Sequence, residues 1–225
     1  MQPAWQFGTV LPFLDWFGIG VFAITGALAA TRRQQTFVTA AFFALVTGVG
    51  GGTIRDLLID APVFWVQDRN FAAICLGAAA LVWATPERWW SDRVFDWLDA
   101  LGLAAYAVFG AAKAYSFGVP PIPAAMMGVI TACAGGIIRD MLAGEPSILM
   151  RPELYVTAAA LASFAYIGLR ELGQPAVLAA IIAALAGFAL RGAAIQFRLA
   201  LPSYRGRRDE LTESEADPPN AVRPE

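Results

Sequence analysis

Hydropathy along this 225-residue chain is arranged in long apolar runs separated by short polar joints. Runs of about 17 to 25 residues, the length that crosses the hydrocarbon core of a bilayer, fall at roughly residues 11 to 30, 36 to 59, 71 to 85, 96 to 117, 122 to 143, 152 to 169 and 175 to 199. The pattern predicts an all-α integral membrane protein with seven transmembrane helices, the third of them short. Residues 202 to 225 are polar and proline-bearing, without apolar periodicity, and read as a disordered cytoplasmic tail.

The runs are not independent. Shifting the chain by 84 positions aligns residues 10 to 62 with 94 to 146 without a gap and gives 18 identities in 53 pairs. Asp15/Asp99, Gly26/Gly110, Thr47/Thr131, Gly51/Gly135, Gly52/Gly136, Arg55/Arg139 and Asp56/Asp140 are among them. We read residues 1–92 as a first three-helix repeat, 93–172 as a second and 173–201 as an unpartnered seventh helix. Three spans per repeat is an odd number, so the second copy enters the membrane from the opposite side, and the repeats are inverted about an axis in the membrane plane. Inverted repeats with interrupted helices at matching positions point to a permeation or substrate site near the midplane.

Those matching positions are "GGTIRDLL" in span two and "GGIIRDML" in span five. Glycine costs a helix about 1 kcal/mol relative to alanine. Gly50, Gly51 and Gly52, with Gly135 and Gly136, are therefore expected to break the two spans and line a hydrated path. The competing reading is that these glycines let helices pack closely. Arg55, Asp56, Arg139 and Asp140 follow the glycines, and charges at this depth face the bundle interior or water. Adjacent residues on a helix do not face one another, so Arg55 is expected to pair with Asp15, and Arg139 with Asp99, one pair near each mouth. Asp15 and Asp99 also suit N-capping or interfacial anchoring. Lys113, the only lysine, has Ala29 as its repeat counterpart. It reads either as a snorkelling side chain or as a pore-facing charge.

Composition narrows the classes. With 58% hydrophobic residues, 15% charged and a mean hydropathy of +0.56, a soluble domain is excluded. Histidine is absent, which removes imidazole ligands and bases. No metal site, cofactor, nucleic-acid partner or enzymatic activity is expected. Cys75 and Cys133 lie in apolar runs and read as buried thiols. Nothing basic precedes the first run, while Arg32 and Arg33 follow it, so it reads as a retained helix and not as a cleaved signal. With the N-terminus outside, the inner segments collect Arg32, Arg33, Arg88, Arg93, Arg151, Arg198, Arg205, Arg207 and Arg208, against Arg69 and Arg170 outside.

Two inverted three-helix repeats, GGxxRD in spans two and five and an unpaired seventh helix resemble the trimeric intracellular cation (TRIC) channels in their prokaryotic form. The same repeat defines a bacterial membrane family labelled as glycine transporters. The likeness covers about residues 10 to 200. It implies a homotrimer in the bacterial inner membrane, in contact with membrane lipids. Each protomer would have its own pore, lined by the bent second and fifth helices with the first and fourth, passing potassium and other monovalent cations. Two positions depart from the family: Ala134 stands where a third glycine would match Gly50, and Lys113, Ala114, Tyr115 stand where eukaryotic members carry a Lys-Glu-Val run. The alternative is a carrier for glycine or another small zwitterion.

Overall fold

The structure, a computed structural model of the chain, describes residues 10–150 and 153–202. The predicted tail over 202–225 lies outside the described residues except for Pro202, and so does Arg151.

Each apolar run becomes a helix: α1 (Val10–Arg32), α2 (Phe37–Leu58), α4 (Arg69–Ala84), α5 (Asp92–Ser116), α6 (Pro121–Ala143), α7 (Val156–Glu171) and α8 (Ala176–Phe197). The count differs from the expected seven by α3 (Phe64–Gln67), a four-residue helix between α2 and α4. Polar joints set the boundaries. The Thr36, Asp68 and Ser91 side chains accept hydrogen bonds from the backbone N–H of Thr39, Asn70 and Val94, which caps α2, α4 and α5. The Ser91 cap lets α5 begin at Asp92, before its apolar run. Pro121 opens α6, and Gly144 ends it in the left-handed region at φ 66°.

Two connections repeat in detail. Asp60 and Gly144, 84 positions apart, both have positive φ after α2 and α6. Ala61 N–H donates to the Asp56 carbonyl just as Glu145 N–H donates to that of Asp140. Gln34 and Gly118, after α1 and α5, form a second such pair. The duplicated sequence thus folds the same turn twice.

Helices α2, α5, α6 and α8 are long and apolar enough to cross a membrane, and α4 is a shorter apolar helix. Small residues let the bundle close: Ala23, Ala27, Ala107, Ala111, Ala132 and Ala159 are fully or nearly fully buried. Large side chains such as Val38, Phe42, Leu57, Leu76, Ile122, Met126, Phe164, Ile181 and Leu185 are exposed on the outside. An apolar exterior around an interior that holds charges suits a protein whose solvent is lipid. Cys75 and Cys133 are buried free thiols.

At the centre α1 crosses α5 and α2 crosses α6. A Cβ on Gly18 would lie 2.8 Å from the Tyr106 ring, and one on Gly102 would lie 3.1 Å from the Phe22 ring. The two contacts are one contact with the repeats exchanged, and their register, 18 on 106 and 22 on 102, runs antiparallel. The Phe22 and Tyr106 rings meet at 5.4 Å on the line of exchange.

Candidate functional site

The site consists of the α2–α6 crossing and a charged cluster at each end of it. A Cβ on Gly51 would lie 2.1 Å from the Thr131 carbonyl oxygen, and one on Gly135 would lie 2.9 Å from that of Thr47. Gly26 and Gly110 close on the same threonines from α1 and α5, with would-be Cβ distances of 2.7 Å to Thr47 Oγ1 and 2.6 Å to Thr131 Oγ1. Each threonine is therefore held between a glycine of its own repeat and a glycine of the other.

This geometry corrects the expectation of broken spans. Helix α2 runs through Gly50, Gly51 and Gly52 without interruption, and α6 does the same through Gly135 and Gly136. Glycine's missing side chain admits a neighbouring helix, and the tight crossing holds the backbone helical despite the propensity cost. The flanking glycines admit side chains. A Cβ on Gly52 would meet Phe64 at 2.5 Å, one on Gly50 would meet Ile138 at 2.8 Å, and one on Gly136 would meet the Tyr155 hydroxyl at 2.6 Å.

At the C-terminal end of α2, Arg55 and Asp56 are fully buried. Arg55 Nε donates to Asp56 Oδ1 at 2.9 Å, so the adjacent pair rejected on helical geometry is the pair that forms. The rule concerns Cβ directions, and a long arginine folds back to reach a carboxylate on the next residue. Lys113, from the end of α5, reaches the same carboxylate at 2.7 Å. It is buried and does not snorkel. The Phe64 backbone N–H donates to Asp56 Oδ2 at 3.1 Å, and the Phe109 ring centre lies 5.1 Å from the Arg55 guanidinium. Asp15 is buried within electrostatic reach of Arg55, Lys113 and Asp56, but the expected Asp15–Arg55 ion pair is absent. Among the described residues Asp15 Oδ1, Arg55 Nη1 and Thr47 Oγ1 have no hydrogen-bond partner.

The second cluster lies at the C-terminal end of α6. Arg139 donates to Asp140 Oδ1 through Nε at 3.0 Å and Nη2 at 2.8 Å. Its Nη1 contacts Asp99 from the start of α5, and its guanidinium lies 4.6 Å from the Phe95 ring centre. Asp140 Oδ2 accepts from Ile148 N–H at 2.8 Å, the counterpart of the Asp56–Phe64 bond. Beyond it, a cavity of about 360 Å³ lies between the start of α2 and the end of α6, lined by Arg33, Gln35, Thr39, Phe43, Leu142 and Ala143. The Arg33–Glu145 ion pair, at 3.2 Å, ties the α1–α2 connection to the segment just after α6 beside this cavity.

Sequence reasoning did not single out Phe64, Tyr155, Glu153 or Arg191. Arg191 Nη1 lies 2.7 Å from Glu153 Oε2, and its guanidinium lies 5.2 Å from the Tyr155 ring centre. A lone arginine inside the apolar run of α8 was the available signal.

The duplication has an independent counterpart among known proteins. The family described as Glycine transporter matches twice, over residues 12–87 and 96–171, with starts and ends both 84 positions apart. The chain belongs to this family. Curated relatives include the UPF0126 inner membrane protein YadS of Escherichia coli (strain K12), 35% identical over 198 residues that make up 85% of this chain and 95% of that protein. A UPF0126 membrane protein of Vibrio cholerae is 35% identical over 202 residues, 87% of this chain and 83% of that one. Among solved structures, the TRIC trimeric intracellular cation channel orthologue from Rhodobacter sphaeroides is 42% identical, with a TM-score of 0.80 over 85% of this chain and all of that one. A structure solved to explain conductance through TRIC cation channels matches with a TM-score of 0.78 at 29% identity, over 87% of this chain and 97% of that one. This Glycine transporter family member is thus a multi-pass membrane protein with a TRIC-like all-helical fold.

Proposed function

We propose that the protein is a channel for monovalent cations, potassium among them, with one path per protomer of a homotrimer in the bacterial inner membrane. The path runs between α1, α2, α5 and α6. Its gate is the glycine–threonine crossing of α2 on α6, in place of a break within either helix. Seven helices span the membrane as two inverted repeats plus α8, with the N-terminus outside, so the Arg55 cluster forms the outer mouth and the Arg139 cluster the inner one.

The observation that carries this reading is the pair of buried charged clusters at opposite ends of one crossing, with polar atoms between and beside them unsatisfied. Burying an unpaired polar group costs about 1–3 kcal/mol. Thr47 Oγ1, Asp15 Oδ1 and Asp99 Oδ2 are left in that condition, along the line an ion would take. When α2 and α6 separate, water and a permeant cation satisfy all three oxygens, and the carbonyls of Thr47 and Thr131 are uncovered with them. The arginines are neutralised by Asp56, Asp99 and Asp140, which removes their barrier to cations. The exchange-symmetric contacts Gly51–Thr131 and Gly135–Thr47 support the inverted arrangement. The similar TRIC structures are of cation channels, and the fold likeness supports the same class here.

The test is recording from the purified protein in planar bilayers with potassium, with and without glycine. Discrete conductance steps that persist without glycine are expected. Electrical silence together with saturable glycine uptake into vesicles overturns the reading in favour of a carrier.

A further inference from the structure

Helix α8 lies beyond both family matches, yet it sends a charge into the second half of the site. Its one charged residue is Arg191, 1% exposed in a largely apolar helix. A cation at that depth is expensive unless it is paired or does work there. Its ion-pair partner Glu153 stands in the connection before α7 and is partly open to solvent, with 37% of its side chain exposed. The guanidinium also lies over the Tyr155 ring, a cation–π contact that strengthens when desolvated.

Tyr155 links this cation to the site. Its side chain is 1% exposed, and its hydroxyl has no hydrogen-bond partner among the described residues. The hydroxyl sits 2.6 Å from the Cβ position of Gly136, and Arg139 Nη2 lies 3.7 Å from that same point. The ring is therefore wedged between Arg191 on one side and the Gly136–Arg139 segment of α6 on the other. In the first repeat the counterpart of Tyr155 is Phe71, which meets the Phe64 ring edge-on at 4.8 Å. There the matching place beside Arg55 is packed by rings, and Lys113 supplies the extra cation from α5. In the second repeat the extra cation comes from outside the duplicated unit.

We propose that Arg191 is a positioning residue: by holding Tyr155 against Gly136 and Arg139, it lets α8 set how readily the inner half of the path opens. This rests on the channel reading for its functional consequence, although the Arg191–Tyr155–α6 linkage is testable without it. Planar stacking on the ring suits a guanidinium more than an ammonium, so Arg191→Lys retains only part of the effect.

The experiment uses the full-length protein in two assays. In planar bilayers with potassium, Arg191→Met is expected to change open probability about fivefold or more, the range of an energetic coupling between sites. Arg191→Lys should fall between Arg191→Met and the parent. In a Tyr155→Leu background Arg191→Met should add no further change. Wild-type gating in Arg191→Met, or full additivity with Tyr155→Leu, overturns the proposal. If the parent itself passes no current, the channel reading fails, and thermal unfolding in detergent decides the linkage alone. Non-additive melting of Arg191→Met with Tyr155→Leu upholds it, and additive melting overturns it.

Discussion

Lys113 Nζ lies 2.7 Å from Asp56 Oδ1 and 2.8 Å from Asp56 Oδ2, while the repeat counterparts of the two residues are Ala29 and Asp140. The first cluster is therefore closed by a cation from the other repeat, and the second is closed by a carboxylate, Asp99. Removing one member of a buried pair costs about 3–5 kcal/mol. For Lys113→Met the lower end, about 3 kcal/mol, is expected, because Arg55 and the Phe64 N–H still hold Asp56. Thermal unfolding of the detergent-solubilised protein measures it, and an unchanged midpoint would show that Lys113 contributes nothing to the fold.

The glycines separate by what faces them. Gly51→Ala drives a methyl group into a backbone carbonyl 2.1 Å away, which neither helix can yield without parting, and should destabilise by about 3 kcal/mol. Gly77→Ala, on α4 with no heavy atom within 4 Å, should be neutral or stabilise by up to about 1 kcal/mol. Equal unfolding midpoints for the two variants would contradict close packing as the reason for glycine at position 51.

Much of this arrangement is legible in the sequence, because hydropathy marks the helices and the duplication gives contacts such as Gly51–Thr131 a partner in Gly135–Thr47. The seven long helices follow their apolar runs to within a few residues. The charged groups at the site, Arg55, Asp56, Arg139 and Asp140, stand out because they interrupt those runs. The Arg139–Asp99 pair follows from the duplication and forms, whereas the adjacent Arg55–Asp56 and Arg139–Asp140 pairs do not follow from the pattern. Helical spacing governs where Cβ atoms point, whereas the Arg55–Asp56 contact depends on a flexible side chain at a helix end and on the Phe64 N–H brought back by α3. The state of the glycines is equally illegible, since a triplet that would break an isolated helix is held helical by the helix across it. Arg191 was visible as an isolated charge, but its target, Tyr155, is set by a tertiary contact.

The two arginines differ in what their loss leaves behind. Without Arg139, Asp99 and Asp140 are buried with no cation paired to them among the described residues. Without Arg55, Asp56 keeps Lys113. Arg139→Gln should therefore cost about 2 kcal/mol more than Arg55→Gln, and Asp99→Asn added to Arg139→Gln should recover part of the loss. A larger cost for Arg55→Gln in chemical unfolding would refute this ordering.

Asp15 and Asp99 share a repeat position but not a partner, and this separates stability from conduction. Asp99→Asn weakens the contact with Arg139 and should destabilise by about 2 kcal/mol. Asp15 Oδ1 makes no hydrogen bond among the described residues, so Asp15→Asn removes a buried charge without breaking a bond. Its unfolding midpoint should match or exceed that of the parent, because an unpaired buried charge opposes folding. Under the proposed function that same unpaired carboxylate is what a cation meets first at the outer mouth, so Asp15→Asn should lower single-channel potassium conductance while leaving the protein intact. Unaltered conductance in a fully folded Asp15→Asn variant would take Asp15 off the ion path. A destabilised variant would instead place it among the groups that hold the outer cluster together.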